Sequence, residues 1–170
     1  MHLHYRKCIG AAAAIILIIA AAVLLAARSG YYLTLRNRDT GEVYARYRME
    51  EGDRFSVTFI HSVNKYPLTD TYEINDKTIY VEETVYCSFG AGVQTELNPG
   101  EKLDKVYIDR PDYKGWGMVI SNIHQERTNV GYIVGTVYDH VLKVNDKEVS
   151  LRDLCGRNAP VRFNYEYWLF

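Results

Sequence analysis

The chain has no Gly-x-Ser-x-Gly turn, no glycine-rich loop that runs into a helix with a lysine, and no His-x-x-x-His pair. The serine-hydrolase elbow, the phosphate-cradling loop and the preformed zinc site are therefore not written into it. His61, His124 and His140 are far apart, so a metal centre would have to be gathered by folding; neither a metal nor a cofactor is expected. Charge of one sign is also lacking. Twenty basic and 21 acidic residues are scattered to a formal net charge of -1, which leaves no basic stripe for nucleic acid. Cysteine is scarce, with three in 170 residues. There is no internal repeat and no low-complexity linker. After residue 30 no sustained helical period appears, although Leu151 to Cys155 allows one short turn.

What is present first is an apolar run. Ile9 to Ala27 carries no charge, amide or proline and follows the basic pair Arg6-Lys7. A membrane-spanning helix needs about 20 apolar residues, and this run meets that length. A cleaved secretory signal is the competing reading, but its apolar region typically spans roughly 7 to 15 residues. The expected organisation is a cytoplasmic tail over 1–8, a transmembrane signal anchor over 9–27 and an extracytoplasmic domain over 28–170. The positive-inside bias of Arg6 and Lys7 sets that single-pass orientation in the cell membrane, with Arg28, Arg36 and Arg38 weighing against it. Gly10, Ala14 and Ala20 to Ala22 are small enough to admit a second helix, although plain anchoring explains them as well. Cys8 precedes the apolar run, where a lipoprotein cysteine would follow it. Cys87 and Cys155 lie where oxidation is permitted, so they are either a disulfide or two buried free thiols.

The remainder reads as strand after strand. Tyr31 to Arg36, Val43 to Met49, Arg54 to Val63, Thr71 to Ile74, Lys77 to Cys87, Lys102 to Ile108, Gly117 to His124, Gly131 to Val144, Val149 to Leu151 and Val161 to Leu169 are separated by turn signals. Two of these signals, Asn75-Asp76 and Asn145-Asp146, suit two-residue hairpins. In the third segment Phe55, Val57, Phe59, His61 and Val63 share one face, the alternation of a half-buried antiparallel strand. Fifteen tyrosines, all but Tyr5 beyond the apolar run, suit half-buried sheet surfaces. The expected fold is all-β, an antiparallel sandwich or barrel of about eight to ten strands behind one N-terminal transmembrane helix.

Several of these residues make up recognisable signatures. Gly52-Asp53-Arg54-Phe55, then Phe59-Ile60-His61-Ser62-Val63, Pro67 and Asp70, resembles the first signature of the bacterial domain of unknown function family 1850. Glu83-Thr84 leading into Ser88-Phe89-Gly90-Ala91-Gly92 resembles its second, and Gly135 to Leu142, continuing to Leu151 and Val161, is similar to its closing hairpin. The resemblance covers nearly all of residues 31–166. Asp70 stands where the pattern carries glutamate, which keeps the charge and shortens its reach. The resemblance implies a small exported or membrane-anchored protein encoded beside a TAXI-type tripartite (TRAP) solute transporter, with no assigned catalytic residue. It implies a non-enzymatic accessory protein that contacts the transporter's membrane subunit or binding protein.

Two alternatives stand beside that expectation. The first is a stand-alone small-ligand-binding β-domain with a polar site around His61; the second, more remote, is a Ser/His/Asp hydrolase in which nothing separates Ser62 from Ser88 as nucleophile. By parity His61 lies at the rim of the core, where an unpaired polar group costs roughly 1–3 kcal/mol. Asp70 and Glu83 are its candidate partners, since Glu83 interrupts the apolar face of Ile79, Val81, Val85 and Cys87. The group is either a structural clasp or a ligand or partner site walled by His61, Ser62, Asp70 and Ser88, with His140 a further candidate. Gly90 and Gly92 suit a tight bulge or turn, or a weaker anion-binding nest. Trp116, between two glycines, is either an exposed anchor for a partner or a cap on the end of the fold.

Overall fold

A computed structural model describes residues 2–62, 65–88 and 96–170, with side chains from Ala14 onward. Helix α1 covers His2–Arg28. Eleven strands and one short helix follow among the described residues: β1 (Gly30–Asn37), β2 (Val43–Arg48), β3 (Arg54–Ile60), β4 (Pro67–Asn75), β5 (Thr78–Tyr86), β6 (Lys102–Arg110), β7 (Tyr113–Glu126), β8 (Val130–Ile133), β9 (His140–Val144), β10 (Lys147–Ser150), α2 (Leu151–Cys155) and β11 (Pro160–Trp168). The chain divides into two units, 1–31 with 167–170, and 32–166.

In the smaller unit, Ser29 closes the end of α1. Its hydroxyl donates to the Leu25 carbonyl at 2.8 Å and accepts from the Phe170 amide at 3.2 Å. The apolar side chains described on α1, Ile15 to Leu25 among them, are exposed. Among the described residues no helix is long and apolar enough to cross a membrane. Ile9 to Ala13 of the apolar run fall outside the described side chains.

The larger unit is built from antiparallel sheets, one ordered β2-β1-β11-β8 and the other β10-β9-β3-β4-β5-β7-β6. They share one core. Leu33 and Leu35 of β1 and Val161 and Phe163 of β11 meet Phe55 and Val57 of β3, Ile74 of β4 and Leu142 and Val144 of β9. Phe55 stacks on Tyr72 at 5.0 Å between ring centres and packs on Phe163 at 5.5 Å, so one ring joins three strands and both sheets. Each such pair adds about 0.5–1.5 kcal/mol beyond the area it buries.

The hairpins turn where alternation dictates. Asn145 and Asp146 both take positive φ, as a two-residue turn matching the strand twist requires. The other hairpin turns at Asp76 and Lys77, one residue later than expected. That register sets Ile74 opposite Ile79, both buried. A turn at Asn75-Asp76 would set Lys77 against Ile74 on the core face, where an ammonium has no partner.

Two other differences from expectation have physical causes. Gly131 to Val144 is two strands in different sheets, β8 beside β11 and β9 beside β3. Between them Val134 turns inward and its amide bonds the Ala159 carbonyl at 3.0 Å. This split brings the count to eleven. β3 ends at Ile60, because the His61 amide bonds the Tyr66 carbonyl at 2.8 Å and the chain turns. Val63, placed by the sequence on the same strand face, lies outside the described residues.

Leu142 is fully buried at the centre of β9. Leu142→Ala in the full-length protein should cost about 2–5 kcal/mol of unfolding free energy. Denaturant unfolding followed by tyrosine fluorescence should show that loss as a lowered midpoint with an unchanged slope.

Candidate functional site

Inside the larger unit, an apolar row of the seven-stranded sheet is interrupted by a carboxylate. Leu142, Val57, Asp70, Thr84 and Ile120 are successive cross-strand partners over β9, β3, β4, β5 and β7. Asp70 is half-buried. Its two oxygens are held from different directions. Thr84 Oγ1 donates to Oδ1 at 2.9 Å from the neighbouring strand, and the Tyr132 hydroxyl donates to Oδ2 at 3.1 Å from β8 of the other sheet. Tyr132 spends its only proton on Asp70, so Tyr72 is the donor in the 2.6 Å contact between the two phenols. Protons therefore run one way, from Tyr72 to Tyr132 to Asp70.

A β-bulge at Glu82 makes this possible. The pairing shifts between Tyr72 opposite Val81 and Thr71 opposite Glu83, leaving Glu82 as the extra residue. Without it Glu83 would face Asp70, two carboxylates side by side. With it Thr84 takes that place, and Glu83 turns to the other face with Thr71 and Ser121. The bulge is closed by His124 of β7, whose Nδ1 lies 2.7 Å from Glu82 Oε1 and whose ring stacks on Tyr80 at 4.7 Å.

These groups line a cavity of about 610 Å3. Asp70, Tyr72, Thr84 and Tyr132 form its polar side, and Phe59, Leu68, Val81, Ile123 and Val130 its apolar side. His61 stands at one rim. Arg127 and Asn129, on the connection from β7 to β8, stand at another. Burial pushes the Asp70 carboxyl above the usual carboxylate range, against the opposing pull of Thr84, Tyr132 and the Arg127 charge. Burial and the nearby Asp70 charge also raise the Tyr72 and Tyr132 phenols, so both remain neutral.

His140 occupies a second layer. It is buried opposite Phe59, stacks on that ring at 4.8 Å and meets Tyr132 edge-on at 5.7 Å. Its Nδ1 accepts the Gly135 amide at 3.2 Å, which assigns the ring proton to Nε2. Gly135 is required for that approach, because a Cβ there would come within 2.0 Å of the Tyr138 carbonyl oxygen. Burial holds the His140 imidazole below its ordinary pKa, opposed by Asp139. A neighbouring cavity of about 350 Å3 is lined by His61, Ser62 and His140, so His61 separates two hollows.

Of the residues read from sequence, Asp70 and His61 meet in the main cavity, and Ser62 and His140 meet His61 in the neighbouring one. Ser88 lines only a crevice of about 10 Å3 beside His61. Glu83 is removed from the site by the bulge, contrary to expectation. Gly90 and Gly92 lie outside the described residues. Cys87 and Cys155 are free thiols, the second of the two readings. Cys87 Sγ donates to the Pro67 carbonyl at 3.6 Å, and Cys155 packs from α2 against the main core. Trp116 is 65 % exposed beside Tyr107, an open anchor and not a cap. Tyr72, Thr84, Arg127, Asn129 and Tyr132 were missed. Thr84 was within a quoted signature, but the alternation pointed to its neighbour.

The model of a family described as a domain of unknown function, DUF1850, matches residues 55–151, more than half of the chain. The chain belongs to the DUF1850 family. The matched segment carries every residue named above as lining the main cavity. No curated protein matches the chain, and no solved structure does.

The raised carboxyl of Asp70 carries a sign. Folding favours its protonated form, so its contribution is complete below the ordinary value of 3.8 and is lost as pH rises through the higher folded value. Asp70→Asn in this DUF1850 chain should therefore melt higher than the natural chain at pH 7, at ~2–4 °C for each kcal/mol recovered. Calorimetric scans should show the difference closing below pH 3.8.

Proposed function

We propose that this DUF1850 chain is a membrane-anchored, extracytoplasmic β-domain that binds a small organic molecule in its main cavity. The observation that carries this reading is the half-buried Asp70 carboxylate, ringed by hydroxyls and facing about 610 Å3 of open space. Ligand pockets commonly measure about 300–1,000 Å3 and pair an apolar lining with a few converging polar groups. A purely structural clasp would fill its own space. The anchor is supported by the apolar run after Arg6-Lys7 and by the exposed apolar side chains of α1.

Thermal unfolding of the detergent-solubilised full chain tests the binding. Amino acids, organic acids, sugars and polyamines are supplied one at a time, and a compound at 100 times its Kd should add about 2.7 kcal/mol to the stability. That corresponds to several degrees at this chain length. A flat response across all four classes counts against the reading.

A second reading, assistance of a TAXI-type TRAP transporter by protein contact, draws on the exposed β6–β7 hairpin. Leu103, Tyr107 and Trp116 present a large apolar surface there, and aromatic residues of this kind anchor protein interfaces. Affinity purification from membranes in mild detergent should recover the transporter's membrane subunit or binding protein with the natural chain. Trp116→Ala should reduce that recovery tenfold or more, the cost of losing an interface anchor. Repeated recovery of the chain alone removes this reading.

A further inference from the structure

The direction of the proton chain restricts what the cavity accepts. Tyr72 gives its proton to Tyr132, Tyr132 gives its own to Asp70, and Thr84 gives a third to the same carboxylate. What these groups leave open toward the cavity is lone pairs, those of the carboxylate and of the Tyr72 oxygen. A guest must therefore bring protons. A second carboxylate placed there would meet only acceptors, whereas a primary ammonium brings three donors and a compensating charge. The opposite requirement holds at the other rim. Arg127 is exposed there, its guanidinium near enough to act on the Asp70 charge, with the Asn129 amide on the same connection. Guanidinium and amide together suit a carboxylate. Between the two ends lie Phe59, Leu68, Val81, Ile123 and Val130.

We propose that the cavity binds a small amino acid, its ammonium on Asp70 and Tyr72, its carboxylate on Arg127 and Asn129, and its carbon body against the apolar wall. This rests on the ligand-binding reading above and names the class of ligand. Charges of opposite sign at the two ends fix the orientation of the guest, and the neutral phenols of Tyr72 and Tyr132 keep the ammonium end free of competing charge. The site discriminates by both ends at once, since a guest lacking either charge leaves the facing group desolvated without a partner.

The test uses the detergent-solubilised full chain and isothermal titration with the twenty common L-amino acids. For the tightest of them, the N-acetyl derivative, which has no ammonium, and the decarboxylated amine, which has no carboxylate, are titrated in parallel. At least one amino acid should bind, and each of its two derivatives should bind at least tenfold more weakly. Asp70→Asn and Arg127→Gln, each shown to be folded by its melting transition, should each weaken the amino acid at least tenfold. Asp70→Asn should leave the N-acetyl derivative unchanged, and Arg127→Gln should leave the amine unchanged. Equal binding of the amino acid and its N-acetyl derivative overturns the ammonium assignment, and equal binding of the amine overturns the carboxylate assignment. If organic acids or sugars bind and no amino acid does, the ligand class is wrong and the binding function stands. If nothing binds in either experiment, both fall.

Discussion

A carboxylate facing the inner layer of a β-fold must be supplied with protons by its neighbours, and at Asp70 that demand reaches far beyond one side chain. The neighbouring strand has to present a hydroxyl where its simple alternation would present Glu83. The facing sheet has to deliver Tyr132. The bulge at Glu82 satisfies the first demand by adding one residue to β5, and the division of Gly131 to Val144 into strands of different sheets satisfies the second. Both are departures from regular geometry, and both converge on the same two oxygens. Regular pairing would have juxtaposed Asp70 and Glu83, and neither carboxylate would have had a donor beside it.

Much of the architecture was legible because it follows from period-two patterning. Phe55, Val57 and Phe59 point into the core as their alternation requires, Asn145-Asp146 turns as its residue types require, and Leu151–Cys155 forms the single helical turn foreseen for it. The antiparallel, mostly β class follows from the same pattern. What was not legible depends on departures from the period. No local signal distinguishes a strand that keeps its alternation through Glu82 from one that slips there, so Glu83 was taken for an inward group and Thr84 was passed over. Gly131 to Val144 carries an almost unbroken apolar character, which conceals that it changes sheets.

The site was half visible for a related reason. Asp70 and His61 stand out as polar groups on apolar strands, and such exceptions are what a sequence can flag. Tyr132 and Arg127 come from the far side of the fold, and only topology brings them to Asp70. Tyrosine was recognised as abundant, but abundance does not say which phenol turns inward. The structure adds the direction of the hydrogen bonds, which turns a list of polar residues into a cavity with a defined electronic demand.

The bulge at Glu82 also has a bearing on how this chain can change over generations. Residues after it on β5 owe their facing to a count of residues and not to their identity. Deleting any one residue between Val81 and Thr84 would restore the uninterrupted alternation, turn Tyr86 out of its cluster and bring an acidic side chain against Asp70. Substitutions in this stretch can be absorbed one side chain at a time, but a change of length cannot, so the strand is free to drift in composition while its length is held fixed.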